Sequence, residues 1–264
     1  MKNNFLFVAG PCAMESGVVQ ETAAELKRIS EKLDIDFIFK VSFDKANRSS
    51  ADSYRGLGFD KGMKILQEIK TEYNIRILTD VHETWQVEPV AKIADIIQIP
   101  ALLCRQTDLL EAADRTGKII NIKKGQFYAY HDIQYFFTKC KNAYKDNCLY
   151  VTERGTFFGY NNLVVDMRGL PVMRKQVPIL FDATHFVQRP SSDHGISGGD
   201  RNLIPYLARG AVMIGVDGLY MEVHPCPEKA LSDGTVQFPL SKVENFWREI
   251  LEVRALQVKL DSRH

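Results

Sequence analysis

Short apolar runs alternate with amphipathic stretches from one end of the chain to the other. Phe5 to Ala9 is the first run, closed by Gly10-Pro11. Residues 18–33 then set Val19, Ala23, Leu26, Ile29 and Leu33 on one helical face, the 3.6-residue period of an amphipathic helix. Further strands are predicted at 37–43, Ile75 to Val81, Ile96 to Ile99, Ile119 to Ile122, Leu149 to Thr152, Pro178 to Thr184 and Leu219 to Val223. Helices are predicted between them. One carries Phe59, Met63, Leu66, Ile69 and Tyr73; others run from Glu88 to Ala94 and from Asp108 to Arg115. The next holds Ile133, Phe136, Phe137, Cys140 and Tyr144, and one lies somewhere within Asn162 to Arg174. The last two are Leu203 to Ile214 and about Lys242 to Lys259. Eight strand–helix units without a linker predict a single α/β domain over residues 1–264, a (β/α)8 TIM barrel. A doubly wound open sheet is the second reading. Its phosphate fingerprint is missing, because Gly56-Leu-Gly-Phe-Asp-Lys-Gly follows a long polar loop rather than a strand.

In such a barrel the chemistry sits at the C-terminal ends of the strands. Those ends carry Cys12; Lys40, Lys45, Asn47, Arg48 and Ser49; Asp80; Gln98 and Arg105; Lys123, Lys124 and Gln126; Glu153 and Arg154; Asp182 and His185; Glu222 and His224; and, further on, Asp233. Folding alone would be served by Ser, Asn or Gly at these positions. Lys45, Asn47, Arg48, Ser49 and Ser50 fall within six residues, a composition suited to phosphate. The cations Lys40, Lys45, Arg48, Arg105, Lys123 and Arg154 would repel one another at one mouth unless phosphates or a carboxylate neutralise them. Cys12, His185, Glu222 and Asp233 offer donors for a divalent transition metal, although no local spacing marks them. A core thiol and a structural imidazole account for Cys12 and His185 equally well on residues alone.

The 264 residues are 45% apolar and 25% charged with net charge +1, so no general nucleic-acid or membrane surface is expected. Five scattered cysteines without a CxxC pair favour a reducing compartment, and the N-terminal apolar run is too short for a signal peptide or a span. A cytoplasmic protein is expected.

The motifs resemble those of the 3-deoxy-D-manno-octulosonate 8-phosphate synthase family. They include Ala9-Gly-Pro-Cys-Ala-Met-Glu-Ser, Lys40-Val-Ser-Phe-Asp-Lys-Ala-Asn-Arg-Ser-Ser, Thr79-Asp-Val-His-Glu, Gln98-Ile-Pro-Ala, Leu103-Cys-Arg-Gln-Thr-Asp-Leu and Lys123-Lys-Gly-Gln-Phe. Thr152-Glu-Arg-Gly, Phe181-Asp-Ala-Thr-His, Ser197-Gly-Gly-Asp-Arg and the run from Glu222 to Gly234 continue the match in order. The resemblance implies a condensation of phosphoenolpyruvate with arabinose 5-phosphate. It places Lys40, Lys45, Lys123 and Arg154 on the phosphoenolpyruvate phosphate and carboxylate, with Gln98 and Gln126 nearby. It places Asn47, Arg48 and Ser49 on the sugar phosphate, and Asp80 as a support. Arg105 would reach a neighbouring subunit, which implies a homo-oligomer, with a tetramer expected. Cys12 stands where metal-independent members carry Asn, so the resemblance implies a divalent metal, such as Zn, Fe or Mn, on Cys12, His185, Glu222 and Asp233. His185 and Lys123 are then also candidates for the chemistry itself, beside Cys12 and Asp233.

The related synthase that uses erythrose 4-phosphate normally shows a Lys-Pro-Arg-Thr-Ser loop and ranks second; a barrel that binds sugar phosphates without turnover is the non-enzymatic alternative. Three departures stand out. Phe186 follows His185 where Ser is usual, Gly125 replaces Pro, and Asp200-Arg-Asn-Leu-Ile replaces Asp-Arg-Glu-Phe-Val. A bulky ring beside His185 is expected to narrow the mouth or shift the imidazole. Gly195-Ile-Ser-Gly-Gly is expected to act as a mobile lid.

Overall fold

A computed structural model describes residues 5–48, 50–193 and 196–262. Its eight barrel strands are β1 (Leu6–Gly10), β2 (Asp36–Lys40), β3 (Arg76–Asp80), β4 (Ile96–Ile99), β5 (Ile119–Lys123), β6 (Leu149–Glu153), β7 (Ile179–Asp182) and β8 (Gly218–His224). Each pairs in parallel with the next, and β8 pairs back onto β1 with Gly10 opposite Glu222, so the sheet closes. The helices are α1 (Val18–Leu33), α2 (Phe59–Tyr73), α3 (Thr84–Ala91), α4 (Thr107–Asp114), α5 (Gln134–Lys139), α6 (Lys141–Lys145), α7 (Gly169–Arg174), α8 (Ile204–Ile214) and α9 (Val243–Asp261). The expected (β/α)8 barrel is the observed fold.

Strand side chains alternate between two faces, and here both are buried. Phe7, Phe37, Phe39, Ile97, Ile120, Leu219 and Met221 face outward into the core shared with the helices. The alternate positions Leu6, Val8, Ile38, Leu78, Ile96, Leu180 and Tyr220 form a second apolar cluster that fills the barrel. Two residues beyond that inner layer, the same face carries Gly10, Lys40, Asp80, Gln98, Asp182 and Glu222. The strand period therefore delivers the polar residues to one end. Gly10 is required there, because a Cβ would fall 1.9 Å from the Lys40 carbonyl oxygen.

Several boundaries differ from the sequence expectation. The second and seventh strands end at Lys40 and Asp182 rather than at 43 and 184. The third helix starts earlier, at Thr84, because Gln86 Oε1 accepts the Glu83 N–H at 3.3 Å and caps a turn with no apolar period. The fifth helix breaks at Cys140, whose φ of −117° and ψ of 57° are not helical. Within 162–174 only α7 is helical; Leu163–Val164 instead pairs with Thr156–Phe157 as a hairpin. The glycine-rich segment is not a plain loop either. Gly195 lies outside the described residues, but Ile196–Gly199 pairs antiparallel with Gln188–Asp193.

Candidate active site

The strand ends surround a cavity of about 960 Å³. Its lining includes Lys40, Lys45, Asn47, Arg48, Asp80, Gln98, Lys123, Gln126, Arg154, His185, Glu222 and Asp233, so most of the expected residues share one mouth. Ser49 lies outside the described residues. Arg105 is exposed and does not line the cavity of its own chain; its carbonyl accepts a bond from Lys139 Nζ at 2.8 Å. Lys124 points away from the mouth, bonding the Tyr128 carbonyl at 2.9 Å and lying 3.4 Å from Glu153.

At the floor, β2 and β8 bring Lys40 Nζ to 2.8 Å from Glu222 Oε1, both fully buried, and Lys45 Nζ to 3.6 Å from the same oxygen. Burial alone would lower the Lys40 pKa, but the Glu222 and Asp80 carboxylates outweigh it and raise it. Asp80 is likewise pulled down to about 2: burial opposes, Lys40 and Lys45 prevail. Asp80 also anchors a chain of buried amides. It accepts Ser42 Oγ at 2.6 Å and Gln98 Nε2; Gln98 in turn accepts Asn121 Nδ2 at 2.8 Å, and Asn121 accepts Thr152 Oγ1 at 2.7 Å. This chain spans β3 to β6 and fixes the inner rim.

Across the mouth Lys123 Nζ donates to Asp182 Oδ2 and lies 3.0 Å from the centre of the Tyr220 ring. Burial lowers its pKa to about 8 despite Asp182, and the neighbouring Lys40 charge acts in the same direction. Asp182 Oδ2 also meets His185 Nδ1 at 2.7 Å, while Asp182 Oδ1 accepts the His185 N–H at 3.0 Å. Burial opposes ionisation of Asp182, but His185 and Lys123 hold it well below the usual carboxylate range. His185 is thereby oriented with Nε2 at 3.5 Å from Glu222 Oε2.

Ligand atoms of Cys12, Glu222 and Asp233 all lie within 4.8 Å of one another, with Cys12 Sγ 3.2 Å from Asp233 Oδ2. His185 reaches this group through Glu222. Glu222 Oε2 is buried and accepts no hydrogen bond, so a cation is its natural partner. A thiol, an imidazole and two carboxylates form a donor set that suits a divalent transition metal, and the residues present fit one. Burial and the Glu222 carboxylate push the Cys12 thiol up, against Lys45 and Arg48; thiolate formation there calls for a strong local cation. Arg48, expected on a sugar phosphate, lines the cavity and bonds both Asp233 oxygens at 3.1 Å.

The first two departures have local explanations; in the third the unchanged Asp200 and Arg201 hold the turn, and nothing in the structure explains Asn202, Leu203 and Ile204. The Phe186 ring is buried against Phe181, 5.0 Å between centroids, and does not line the cavity, so the expected narrowing of the mouth is not observed. Gly125 sits where a Cβ would come 2.8 Å from the Phe127 ring and 3.0 Å from Cys104 Sγ. Asp200 caps the turn before α8 by accepting the Asn202 N–H at 3.0 Å, and Arg201 Nη2 bonds the Gly234 carbonyl at 2.6 Å. Phe186→Ala should cost about 3–5 kcal/mol of stability as a core truncation, measured by denaturant titration; a loss below about 1 kcal/mol would contradict a core role.

Gln188, Tyr220, Ser232 and Gln237 went unnoticed in the sequence. Gln188 joins Arg154 Nη2 at 3.2 Å to Asp233 Oδ1 at 3.0 Å. Tyr220 was readable, since it lies two residues before Glu222 on the same strand face. Ser232 and Gln237 lie in irregular segments with no period to expose them, and Gln188 opens a strand of a short two-stranded ribbon outside the barrel.

Fold and mouth together define a (β/α)8 protein built to hold small polyanionic ligands beside a thiol–carboxylate cluster. The chain belongs to the DAHP synthetase I family, whose profile matches residues 1–258. It is 48% identical over 259 residues to a 2-dehydro-3-deoxyphosphooctonate aldolase of Cupriavidus taiwanensis, covering 96% of this chain and 90% of the relative. It is 50% identical over 254 residues to the protein of that name in Fusobacterium nucleatum, covering 96% and 91%. A third, from Desulfosudis oleivorans, is 50% identical over 250 residues, covering 94% and 89%. That name denotes the same group of synthases whose motifs the sequence resembles.

Proposed function

We propose that this chain condenses phosphoenolpyruvate with D-arabinose 5-phosphate and water to give 3-deoxy-D-manno-octulosonate 8-phosphate and inorganic phosphate. The observation that carries the reading is the buried cationic arc of Lys40, Lys123 and Arg154 beside the Cys12–Glu222–Asp233 cluster. Arg154 Nη1 and Gln126 Oε1 are buried there without hydrogen-bond partners, as groups that await a polar ligand are. Lys40 and Lys123 already face Glu222 and Asp182; the phosphates of two substrates supply the partner that Arg154 Nη1 lacks and add to the charge facing the lysines.

Lys40, Lys45, Lys123 and Arg154 hold the phosphoenolpyruvate phosphate and carboxylate, with Gln98 and Gln126 alongside. Asn47, Arg48 and Ser49 take the sugar phosphate, once Arg48 exchanges Asp233 for it. Arg105 serves the same phosphate in a neighbouring subunit, so the active form is a homo-oligomer and a tetramer suits it. C3 of phosphoenolpyruvate attacks the aldehyde C1 of the open-chain sugar, and the new alkoxide takes a proton from Lys123. Water adds at the cationic C2 and gives one proton back to the Lys123 amine. The C2–O bond to phosphate then breaks, the remaining C2 hydroxyl proton passes to the departing phosphate, and the keto product is left. The lysines and arginines act chiefly by positioning and by charge stabilisation. A divalent ion on Cys12, His185, Glu222 and Asp233 would supply Lewis acidity at the mouth. Asp182 keeps His185 oriented and balances Lys123. Among the described residues no helix is long and apolar enough to cross a membrane; we place the reaction in the cytoplasm, with the whole chain as one barrel domain.

Phosphate release with arabinose 5-phosphate against erythrose 4-phosphate tests the assignment. Turnover with arabinose 5-phosphate is expected to dominate. Preference for erythrose 4-phosphate, or binding without turnover of either sugar, would overturn it.

A further inference from the structure

We infer that Gln237 is a positioning residue for the metal centre, and that it sets the spacing between Cys12 and Asp233. The inference rests on the metal reading given above. Gln237 is fully buried. Its Oε1 accepts the Cys12 backbone N–H at 3.2 Å, and its Nε2 donates to the Ser232 carbonyl at 2.8 Å. One carboxamide thus ties the two ligand-bearing segments together by their backbones, across 225 residues of sequence.

The segment that carries Gln237 is itself held in register. Asp233 sits in the left-handed region at φ 50°, and its carbonyl accepts the N–H of both Val236 and Gln237, at 3.0 and 3.1 Å. Immediately after, Phe238–Pro239 pairs in parallel with Val223 and His224 at the end of β8. Gln237 is therefore referenced to the strand that carries Glu222, reaches over to Cys12, and closes the turn that presents Asp233. Ser232 completes the arrangement with Oγ at 3.0 Å from Cys12 Sγ. Left alone, the turn after β8 has the freedom of any loop, and Cys12 follows Pro11 at the end of its strand. The carboxamide removes that freedom before an ion binds, as outer partners of metal ligands commonly do.

A buried amide that merely holds a loop predicts the same contacts but a different response. Gln237→Leu and the volume-matched Gln237→Met should weaken Zn²⁺ binding to the full-length metal-free protein by about 10–100-fold in chelator competition, the usual effect of losing an outer partner. Gln257→Leu, which removes another buried amide far from the mouth, should lower the melting temperature of the metal-free protein and leave Zn²⁺ affinity unchanged. Folded Gln237 variants that bind Zn²⁺ as tightly as the parent overturn the inference. If both variants unfold, hydrogen exchange on the metal-free parent decides: the Cys12 amide, held by Gln237, should already exchange slowly before Zn²⁺ is added, and exchange at the rate of an open loop amide overturns the clamp. A parent protein that binds no Zn²⁺ at all would instead defeat the metal reading.

Discussion

Replacing Lys123 with methionine should lower kcat/KM by about 10²–10⁴-fold, the range for loss of a positioned proton donor. Methionine keeps the length and apolar stem that pack over Tyr220 but carries no charge for Asp182. The larger part of the effect should fall on kcat, because the proton is needed only as the alkoxide forms. The pH profile adds a second signature. Burial lowers the Lys123 pKa to about 8, so the ammonium is present below that pH and is lost above it. The kcat/KM of the parent, which reports the free enzyme, should therefore decline as pH rises through about 8. The residual activity of Lys123→Met should show no such decline. A variant within a few-fold of the parent, or one that retains the alkaline limb, would remove Lys123 from the proton transfer.

The second large effect concerns Cys12. Chelated, metal-free protein should lose phosphate release and regain it when Zn²⁺, Mn²⁺ or Fe²⁺ is restored. Cys12→Ser should weaken metal binding by more than the roughly 10–100-fold typical of an outer partner, because it removes a donor atom itself. Folding should be little affected, since Ser232 Oγ and Asp233 Oδ2 already lie within 3.2 Å of that position and can bond a hydroxyl. Cys12→Asn should lose the metal as well, and any activity it keeps should be insensitive to chelator. Full turnover by demonstrably metal-free parent protein would end the metal assignment.

The barrel was legible because its strands obey a two-residue period with apolar residues on both faces, and because that period ends in Lys40, Asp80, Lys123, Asp182 and Glu222 on one side. The cationic arc followed from the same pattern. The proposed metal ligands did not: Cys12, His185, Glu222 and Asp233 are far apart in sequence, and donor chemistry could group them but no spacing marks them as a site. The helix expected somewhere within 162–174 is there, at Gly169–Arg174, but its start was not legible because the short hairpin before it leaves too few residues to display a period. Gln188 and Gln237 were invisible for a related reason: a buried carboxamide is defined by the partners around it, and those come from other segments. Adjacency to His185 does not bring Phe186 into the mouth: its ring packs on Phe181, while His185 lines the cavity.

Because Gly10 lies opposite Glu222 in the β1–β8 ladder, the first and last strands meet at the reacting centre itself. A polypeptide synthesised only as far as β7 holds Cys12 and Lys40 but neither Glu222 nor Asp233. Ring closure and competence for chemistry are then one event, and any small molecule or ion that grips this seam adds its binding free energy to keeping β1 and β8 joined.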